Sequence, residues 1–337
     1  MAELGESVDL IVGNAKGEYR SEVPPNVTLV DLSAPRLAFA LAGLVRYLTS
    51  HRPERLYSAL EEANIIALLA NSLSGRKARV YPSLRNTLSD ELLNAGGAKL
   101  RTMVWLARRL YPSAQGIIAV SSGVADDAAQ LLGIPRERIE VVPNPTIVPE
   151  IFQLAEAPCD HPWFADRGSP VVLGCGRLSA QKDFATLIRA VALVRRKHPV
   201  KLIILGEGPL RGELEALAAE LGLADDVSLP GFDPNPFAYM ARASVFALSS
   251  IFEGSPNVVI QALALGLPVV STDCPSGPRE LLAGVRSGKL VGIGDAGAMA
   301  EAIDTFLQPS DPPPLPLELA EFDYRASAAA YLAKDRA

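Results

Sequence analysis

Short apolar runs alternate with amphipathic segments along most of the chain, and this alternation constrains the fold more than any other feature. In the first half, apolar runs typical of strands lie at residues 8–12, 27–32, 55–60, 78–81, 116–120 and 139–142. Helical patterns lie between several of them, for example at residues 63–72 and 98–111. Strands that alternate with helices form a parallel sheet covered on both faces, so the pattern predicts a doubly wound α/β domain.

The second half repeats this organisation. PVVLGCG and VKLIILGEGP are typical of buried strands, and further strands are expected at residues 227–229, 245–248 and 268–271. KDFATLIRAVALVRR places apolar residues at 184, 187, 188, 191 and 194, on one face of a helix. Since 337 residues exceed the usual size of one core, two Rossmann-like domains are predicted.

The domain boundary is placed near residue 150, because VVPNPTIVPE contains three prolines. Residues 1–150 would form the first domain and residues 151–337 the second. Residues 308–320 are too rich in proline for regular structure and indicate a connector to a final helix, which is expected to pack back on the first domain. Ligands bind beyond the carboxyl ends of such strands, so a site is expected in a cleft across which the two domains face each other.

Composition limits the class of protein. No apolar run reaches the roughly 18 residues that a membrane span needs, and the acidic start MAELGESVDL lacks the features of a signal peptide. Three widely separated cysteines, Cys159, Cys175 and Cys274, fit a reducing compartment and no metal cluster. We therefore expect a cytoplasmic protein, and no nucleic-acid partner is expected for a chain of net charge −6.

Residues 76–109 differ from this acidic balance, with eight basic residues against Asp90 and Glu91. AKLRTMVWLARRLYPS has an apolar helical face that is expected to pack on the first domain's sheet, formed by Leu100, Met103, Val104, Ala107 and Leu110. Trp105 lies away from that face, beside basic residues. Two interpretations follow: a solvated basic face, or reversible contact with an anionic membrane surface.

Three predicted loops at strand ends in the second half carry candidate binding groups. GRLSAQKD places Arg177 and Lys182 five residues apart around a turn, where two cations can hold a diphosphate. GEGPLR contributes Gly206 and Gly208, whose small size lets a ligand approach the backbone. Alternatively, Arg177 and Lys182 are ordinary surface charges that bind no ligand.

The third loop belongs to FEGSPNVVIQALALGLPVVSTDCPSGPRE. Pro256 suits the first position of a helix, and the free N–H groups there attract phosphate or sugar oxygens. Glu253 would be repelled by a phosphate and is suited to accept hydrogen bonds from sugar hydroxyls. Alternatively, Glu253 has only a structural role, as a negative charge that interacts favourably with the helix dipole.

The three loops carry motifs in the order Gly-x-Gly-Arg-(x4)-Lys, LGEGP and FEGSPNVVIQ. With these motifs the chain resembles the family 4 retaining glycosyltransferases of GT-B fold, most strongly over residues 171–293. The resemblance implies that Arg177 and Lys182 hold the diphosphate of a nucleotide-sugar and that Glu253 binds hydroxyls of its sugar. It also implies a wider set of donor-binding residues, namely Gly176, Gly206, Gly208, Gly254, Ser255, Pro256, Asn257, Val258 and Gln261. A UDP-sugar is the expected donor substrate, with no cofactor and no metal.

Two features depart from the family pattern. Gln261 stands where the family usually has a glutamate that binds the ribose, so nucleotide binding is expected to be weaker by about 1 kcal/mol. The chain also begins about 30 residues late, which implies that the family's first strand and Gly-rich loop are lacking. That strand is central in a doubly wound sheet, flanked by the second and the fourth.

The acceptor side is expected at the carboxyl ends of the first domain's strands. The candidates there are Glu62, Asn64, Arg85, Asn86 and Ser122, each of which is also compatible with ordinary turn chemistry. The resemblance implies a saccharide or lipid-linked acceptor in polysaccharide or glycolipid synthesis. A lipid-linked acceptor would give contact of residues 76–109 with an anionic membrane a purpose.

Two alternatives stay open on the sequence. A sugar-nucleotide epimerase of GT-B fold would need catalytic carboxylates and histidines, but His51, His161 and His198 lie in none of the three loops. A catalytically impaired binding fragment or interaction module would bind a nucleotide-sugar without turnover.

Overall fold

The computed structural model describes residues 1–15, 23–36, 39–75, 78–95, 97–165, 168–308 and 319–333. The chain divides into two compact units, one of residues 1–143 with 325–337 and one of residues 144–324. The first crossing between the units therefore lies about seven residues before the boundary near 150 that the sequence indicates. The last helix belongs to unit 1. Most of the connector at residues 308–320 lies outside the described residues.

Unit 2 contains a six-stranded parallel sheet. Its strands are β7 (Val171–Cys175), β8 (Lys201–Leu205), β9 (Val227–Gly231), β10 (Val245–Leu248), β11 (Val269–Thr272) and β12 (Gly288–Val291). The strand order is β12-β11-β10-β7-β8-β9, the arrangement of a doubly wound sheet. The order reverses between β7 and β10, so this sheet offers a binding crevice beyond their carboxyl ends. The sequence pattern had not indicated β12.

The helices of unit 2 cover both faces of this sheet, and each face has its own apolar core. They are α6 (Glu150–Glu156), α7 (Pro162–Ala165), α8 (Phe184–Arg195), α9 (Arg211–Glu220), α10 (Pro236–Met240), α11 (Asn257–Ala264), α12 (Pro278–Leu282) and α13 (Ala296–Leu307). The side chain of Asp183 caps α8 by accepting from the backbone N–H of Thr186 at 3.3 Å. The cap fixes where α8 begins, directly after the loop that follows β7.

The described residues of unit 1 form six strands in two separate parallel sheets. They are β1 (Val8–Val12), β2 (Val27–Asp31), β3 (Arg55–Ala59), β4 (Arg79–Leu84), β5 (Ile117–Ala119) and β6 (Ile139–Val141). β1 pairs with β2, and β3 to β6 form a sheet in chain order. Among the described strands, none pairs with the other edge of β1 or of β3. The resemblance implies that the family's first strand pairs between these two strands, and that pairing stays a prediction.

The helices of unit 1 are α1 (Ala40–His51), α2 (Glu61–Leu73), α3 (Leu88–Ala95), α4 (Ala98–Leu110), α5 (Ser122–Leu132) and α14 (Tyr324–Ala333). α14 contacts the sheet through Tyr331, whose backbone carbonyl accepts from the Tyr57 hydroxyl at 2.9 Å. The Ser327 hydroxyl donates to the carbonyl of Pro143 at 2.9 Å. These two hydrogen bonds hold α14 within unit 1.

Candidate functional site

The loop after β7 carries both predicted cations. Gly176 adopts a φ of 156° and donates its N–H to the carbonyl of Leu205 at 2.9 Å, which holds the start of the loop against β8. Arg177 is exposed and has no hydrogen-bond or ion-pair partner among the described residues. Lys182 ends a short 3₁₀ turn and is largely buried. One cation is thus available to solvent, and the other is held inside the site.

Glu253 lies in the loop after β10 and is only 6% exposed. Its Oε1 atom accepts from the Lys182 Nζ atom at 2.5 Å and from the Ser250 hydroxyl at 2.6 Å. The two groups to which the sequence assigned separate roles are therefore an ion pair. A buried carboxylate requires such partners, because burying an unpaired charge costs several kcal/mol.

Further hydrogen bonds join the loops after β7 and β10. The Ser249 hydroxyl donates to the carbonyl of Lys182 at 2.7 Å. The N–H of Ile251 donates to the carbonyl of Gln181 at 2.8 Å, and the Gln181 side-chain amide donates to the carbonyl of Phe252 at 3.0 Å. The two loops at the reversal of strand order therefore form one connected structure.

β11 supports this structure from the other side of β10. The backbone carbonyl of Ser250 accepts from the Thr272 hydroxyl at 2.6 Å and from the Cys274 thiol at 3.1 Å. Burial raises the pKa of Cys274 to about 12, so the thiol keeps its proton at neutral pH and remains a donor. Burial likewise raises the pKa of Cys175, at the end of β7, to about 11. These two cysteines serve structure rather than thiolate chemistry.

Gly206 and Gly208, after β8, are required by backbone packing. A Cβ atom on Gly206 would overlap the carbonyl of Gly176, with its carbonyl carbon 2.9 Å away. A Cβ atom on Gly208 would come within 2.7 Å of the carbonyl carbon of Leu178. The sequence had instead predicted that a ligand approaches the backbone at these two glycines. In the structure, the neighbouring loop fills this space, and these glycines let the two loops touch.

The segment from Gly254 to Val258 forms the start of α11. Pro256 is the N-cap rather than the first helical residue expected from the sequence, because its ψ of 95° is extended. The N–H groups of Asn257 and Val258 have no hydrogen-bond partner among the described residues. Gly254 is buried and Ser255 half-buried. Two backbone donors at a helix N-terminus therefore accompany the ion pair.

Two residues of α11 differ in their surroundings. The Asn257 side-chain oxygen accepts from the Asn144 amide at 2.9 Å and from the Thr146 hydroxyl at 3.1 Å. Residues 144–146 form the connection from unit 1 and had not been linked to the site by sequence. Gln261 lies one turn along the helix and is half-buried.

Asn64, an expected acceptor-side residue, is completely buried in unit 1. Its side-chain oxygen accepts from the Ser58 hydroxyl at 2.8 Å, and its amide donates to the carbonyl of Ser83 at 3.0 Å and to the Tyr111 hydroxyl at 3.1 Å. The Tyr111 hydroxyl in turn donates to Glu61 at 2.8 Å. Asn64 thus joins β3 to β4 and has no amide group left for an acceptor.

The other acceptor-side candidates lie at the carboxyl edge of the four-stranded sheet. Glu62 follows β3, Arg85 and Asn86 follow β4, and all three are half-buried. Ser122 is exposed as the first residue of α5, and the preceding residue, Ser121, caps this helix. Parallel strands bring these four residues to one edge of the sheet.

Helix α4 carries part of the basic stretch, whereas Arg79 lies in β4 and Arg85 follows that strand. The buried face of α4, with Val104 and Ala107, belongs to the apolar core of unit 1 and packs mainly on α2. Trp105 is 52% exposed, and the Arg109 guanidinium lies 4.4 Å from its ring centre. Arg108 donates to the carbonyl of Leu131 at 2.8 Å and so has a structural role. Residues 76, 77 and 96 and the side chain of Lys99 lie outside the described residues.

Within the part of the chain that the structure describes, no three side chains of His, Cys, Asp or Glu are grouped so that they could hold a metal ion. None of the described helices is both long and apolar enough to cross a bilayer.

Sequence reasoning missed Ser249, Ser250 and Gln181. The available signal was a pair of serines directly after a predicted buried strand and just before Glu253, a place where hydroxyls can meet buried charged groups. Together the residues offer an exposed cation, a buried ion pair and two unpaired backbone N–H groups. This arrangement can bind a phosphate group together with a neutral, hydroxyl-rich group.

Comparison with known families gives two matches that together span most of the chain. Residues 169–309 match the family described as "Glycosyl transferases group 1". Residues 1–145 match the family described as "Glycosyl transferase 4-like domain".

Curated relatives are also similar to this chain. One is the N-acetylgalactosamine-N,N'-diacetylbacillosaminyl-diphospho-undecaprenol 4-alpha-N-acetylgalactosaminyltransferase of Campylobacter jejuni, 36% identical over 86% of this chain and 75% of the relative. Another is the lipopolysaccharide core biosynthesis glycosyltransferase LpsE of Rhizobium meliloti, 37% identical over 56% of this chain and 52% of the relative. Among solved structures, Anabaena HepE in complex with UDP and glucose matches with a TM-score of 0.70 and 23% identity, over 97% of this chain and 87% of that chain.

Proposed function

We propose a specific reaction for this chain, which belongs to the family 4 glycosyltransferases of GT-B fold. It would be a retaining, metal-independent enzyme that transfers a sugar from a UDP-sugar to a saccharide or lipid-linked acceptor. The observation that carries the proposal is the Lys182–Glu253 ion pair beside the exposed Arg177, at the reversal of strand order in unit 2. The similarities to glycosyltransferases favour this function over an epimerase and over an interaction module.

Arg177 and Lys182 would bind the donor's diphosphate, and the N–H groups of Asn257 and Val258 would assist. Cations and helix N-termini are the groups that proteins use for phosphates. Glu253 would accept hydrogen bonds from the donor sugar, and Gln261 from the ribose. HepE, with the same fold, was crystallised with UDP and glucose, which supports a UDP-sugar as the donor.

In the transfer step, the bond between the anomeric carbon and the diphosphate oxygen breaks while the acceptor oxygen bonds to that carbon. The acceptor proton passes to the departing diphosphate on the same face, so no protein nucleophile is required and the configuration is retained. Negative charge grows on the diphosphate during this step. Arg177 and Lys182 therefore stabilise the transition state more than the ground state and take the place of a metal ion.

The names of two relatives support the acceptor class. One acts on a diphospho-undecaprenol-linked saccharide, and the other belongs to lipopolysaccharide core biosynthesis. A lipid-linked saccharide would meet unit 1 at the carboxyl edge of β3, β4 and β5, near Glu62, Arg85, Asn86 and Ser122. The product would then belong to a polysaccharide or glycolipid.

We place the enzyme in the cytoplasm, in reversible contact with the inner face of the plasma membrane through α4. Trp105 is exposed beside Arg101 and Arg109, a combination suited to an interface of lipid headgroups. Each cation near an anionic leaflet contributes about 1 kcal/mol to membrane binding.

Cosedimentation with phosphatidylserine vesicles tests this contact. The cosedimenting fraction should fall when salt is added and in a Trp105→Ala, Arg109→Ala variant. Phe152→Ala, which changes an exposed aromatic of unit 2, serves as the control. Protein that stays in the supernatant at low salt would leave α4 as a solvated face.

Calorimetric titration with UDP and measurement of UDP-sugar turnover test the donor site. Arg177→Ala and Lys182→Ala should each weaken UDP binding about 10-fold and reduce turnover further, because both cations face growing charge. Glu253→Gln should reduce turnover while changing UDP affinity less than either cation variant. Unchanged UDP affinity in both cation variants would remove the proposed diphosphate site. Binding of UDP-sugar without any turnover, with every acceptor class tried, would favour a binding module.

A further inference from the structure

We propose that Ser250 is a positioning residue that fixes the orientation of the Glu253 carboxylate toward the donor sugar, and that it thereby sets donor selectivity. The inference rests on the proposed function, because it takes Glu253 as the group that binds the sugar. Ser250 itself is completely buried in the loop after β10 and would touch no substrate.

The two oxygens of the Glu253 carboxylate have different surroundings. Oε1 accepts both hydrogen bonds, from the Lys182 ammonium at 2.5 Å and from the Ser250 hydroxyl at 2.6 Å. Oε2 has no hydrogen-bond partner among the described residues. A carboxylate offers about four lone-pair positions, so Oε2 keeps two for a ligand. Glu253 can therefore act on the sugar as a single, directed acceptor oxygen.

The two donors to Oε1 are not equally fixed. Lys182 has a flexible side chain, and its ammonium is also the group that would turn toward the donor's diphosphate. Ser250 has a short side chain, and its own carbonyl is held by the Thr272 hydroxyl at 2.6 Å and by the Cys274 thiol at 3.1 Å. When a diphosphate draws Lys182 away, the Ser250 hydroxyl is the hydrogen bond that keeps the carboxylate oriented.

Loss of that hydroxyl has a predictable consequence for selectivity. Rotation about the last bond of the Glu253 side chain is soft, since torsions that end in a carboxylate have broad energy wells. In Ser250→Ala, the carboxylate would be free to rotate, so its lone pairs would point toward the sugar in more than one direction. A directed acceptor distinguishes two sugars that differ at one hydroxyl, whereas a rotating one distinguishes them less.

The experiment compares four proteins: the unchanged chain, Ser250→Ala, Glu253→Gln and the double variant. UDP affinity is measured by calorimetry, and kcat and KM for donor hydrolysis are measured with UDP-glucose, UDP-galactose and UDP-N-acetylglucosamine. Ser271→Ala is the matched control, because Ser271 is also completely buried and bonds to a backbone carbonyl at 2.9 Å without touching Glu253. Thermal unfolding of every variant separates loss of the fold from loss of orientation.

In Ser250→Ala, kcat/KM for the best donor should fall about 10-fold. The ratio of kcat/KM for the best donor to kcat/KM for the second-best donor should fall as well. The UDP affinity should stay within about twofold of that of the unchanged chain. Because Ser250 acts through Glu253, the double variant should be no worse than Glu253→Gln. An unchanged donor ratio, or additive effects in the double variant, would overturn the inference and leave the proposed function intact. An unchanged chain that neither binds UDP nor hydrolyses any donor would overturn both.

Discussion

Replacement of Gly206 by alanine tests the contact between the loops after β7 and β8. Gly206 has a φ of 135°, a conformation that side chains other than glycine rarely adopt, and a Cβ atom at this position would lie 2.9 Å from the carbonyl carbon of Gly176. Two carbon atoms prefer about 3.5–4.0 Å, so one backbone must retreat by roughly 1 Å. The Cβ is fixed to the backbone frame, and no rotamer can relieve the overlap.

The expected magnitude follows from two costs. A glycine-only conformation costs roughly 1–3 kcal/mol, and overpacking in a tight contact costs roughly 1–3 kcal/mol more. Gly206→Ala should therefore lower the free energy of unfolding of unit 2 by roughly 2–6 kcal/mol. The retreating chain is that of Gly176, which precedes Arg177. Since a shift of about 1 Å at a catalytic group can cost 100-fold in rate, turnover should fall more steeply than stability alone explains.

Urea denaturation gives the free energy of unfolding, and calorimetry gives the UDP affinity of the folded variant. Gly212→Ala is the control, because nothing lies within 4 Å of a Cβ built on Gly212. Gly212 lies in helix α9, where alanine should be neutral or should stabilise by up to about 1 kcal/mol. If Gly206→Ala unfolds at the same urea concentration as the unchanged chain and binds UDP within twofold, the close contact does not exist in solution and the reasoning is refuted.

Two further predictions concern stability. Asn64→Ala should lower the free energy of unfolding of unit 1 by about 2–4 kcal/mol in urea denaturation, because it removes the side chain that bonds to the Ser58 hydroxyl and to the carbonyl of Ser83; an effect below about 0.5 kcal/mol would contradict the buried network. Burial lowers the pKa of His161, so the folded state favours the neutral imidazole. As the pH falls below about 6.5, the unfolded chain therefore takes up a proton at this residue more readily than the folded protein does. Stability should therefore be lost on acidification from pH 7 to pH 5.5, and His161→Gln should flatten this part of the thermal-unfolding profile; an unchanged slope would refute the assignment.

The fold was predictable from sequence where the pattern is local. The five apolar positions expected on one face of α8 are all buried, since helical periodicity depends only on the residues of that helix. The prediction of two doubly wound α/β domains of GT-B type is confirmed by the parallel sheets and by the glycosyltransferase structures that match. Strand ends were less predictable. β4 continues through Pro82 to Leu84, three residues beyond the apolar run expected at residues 78–81.

The site was predictable in its residue types but not in its contacts. Arg177, Lys182 and Glu253 stand out as charges at strand ends, yet nothing in the sequence shows that Lys182 meets Glu253, 71 residues later. That contact depends on β7 and β10 being neighbours, a property of strand order. Asn64 illustrates the converse problem. A polar residue after a strand has the same pattern whether it faces a ligand or, as here, ties two strands together inside the core.

The return of α14 to unit 1 has a consequence for the order in which the protein matures on the ribosome. Translation supplies residues 144–324 before Tyr331, so the second unit has all of its residues while the first still lacks its closing helix. During that interval the Tyr57 hydroxyl and the carbonyl of Pro143 lack the partners that α14 supplies at 2.9 Å each. Unit 1 therefore begins synthesis first but receives α14 only after every residue of unit 2 has been made, so a nascent chain that stops before Tyr331 has all of unit 2 while unit 1 still lacks this contact.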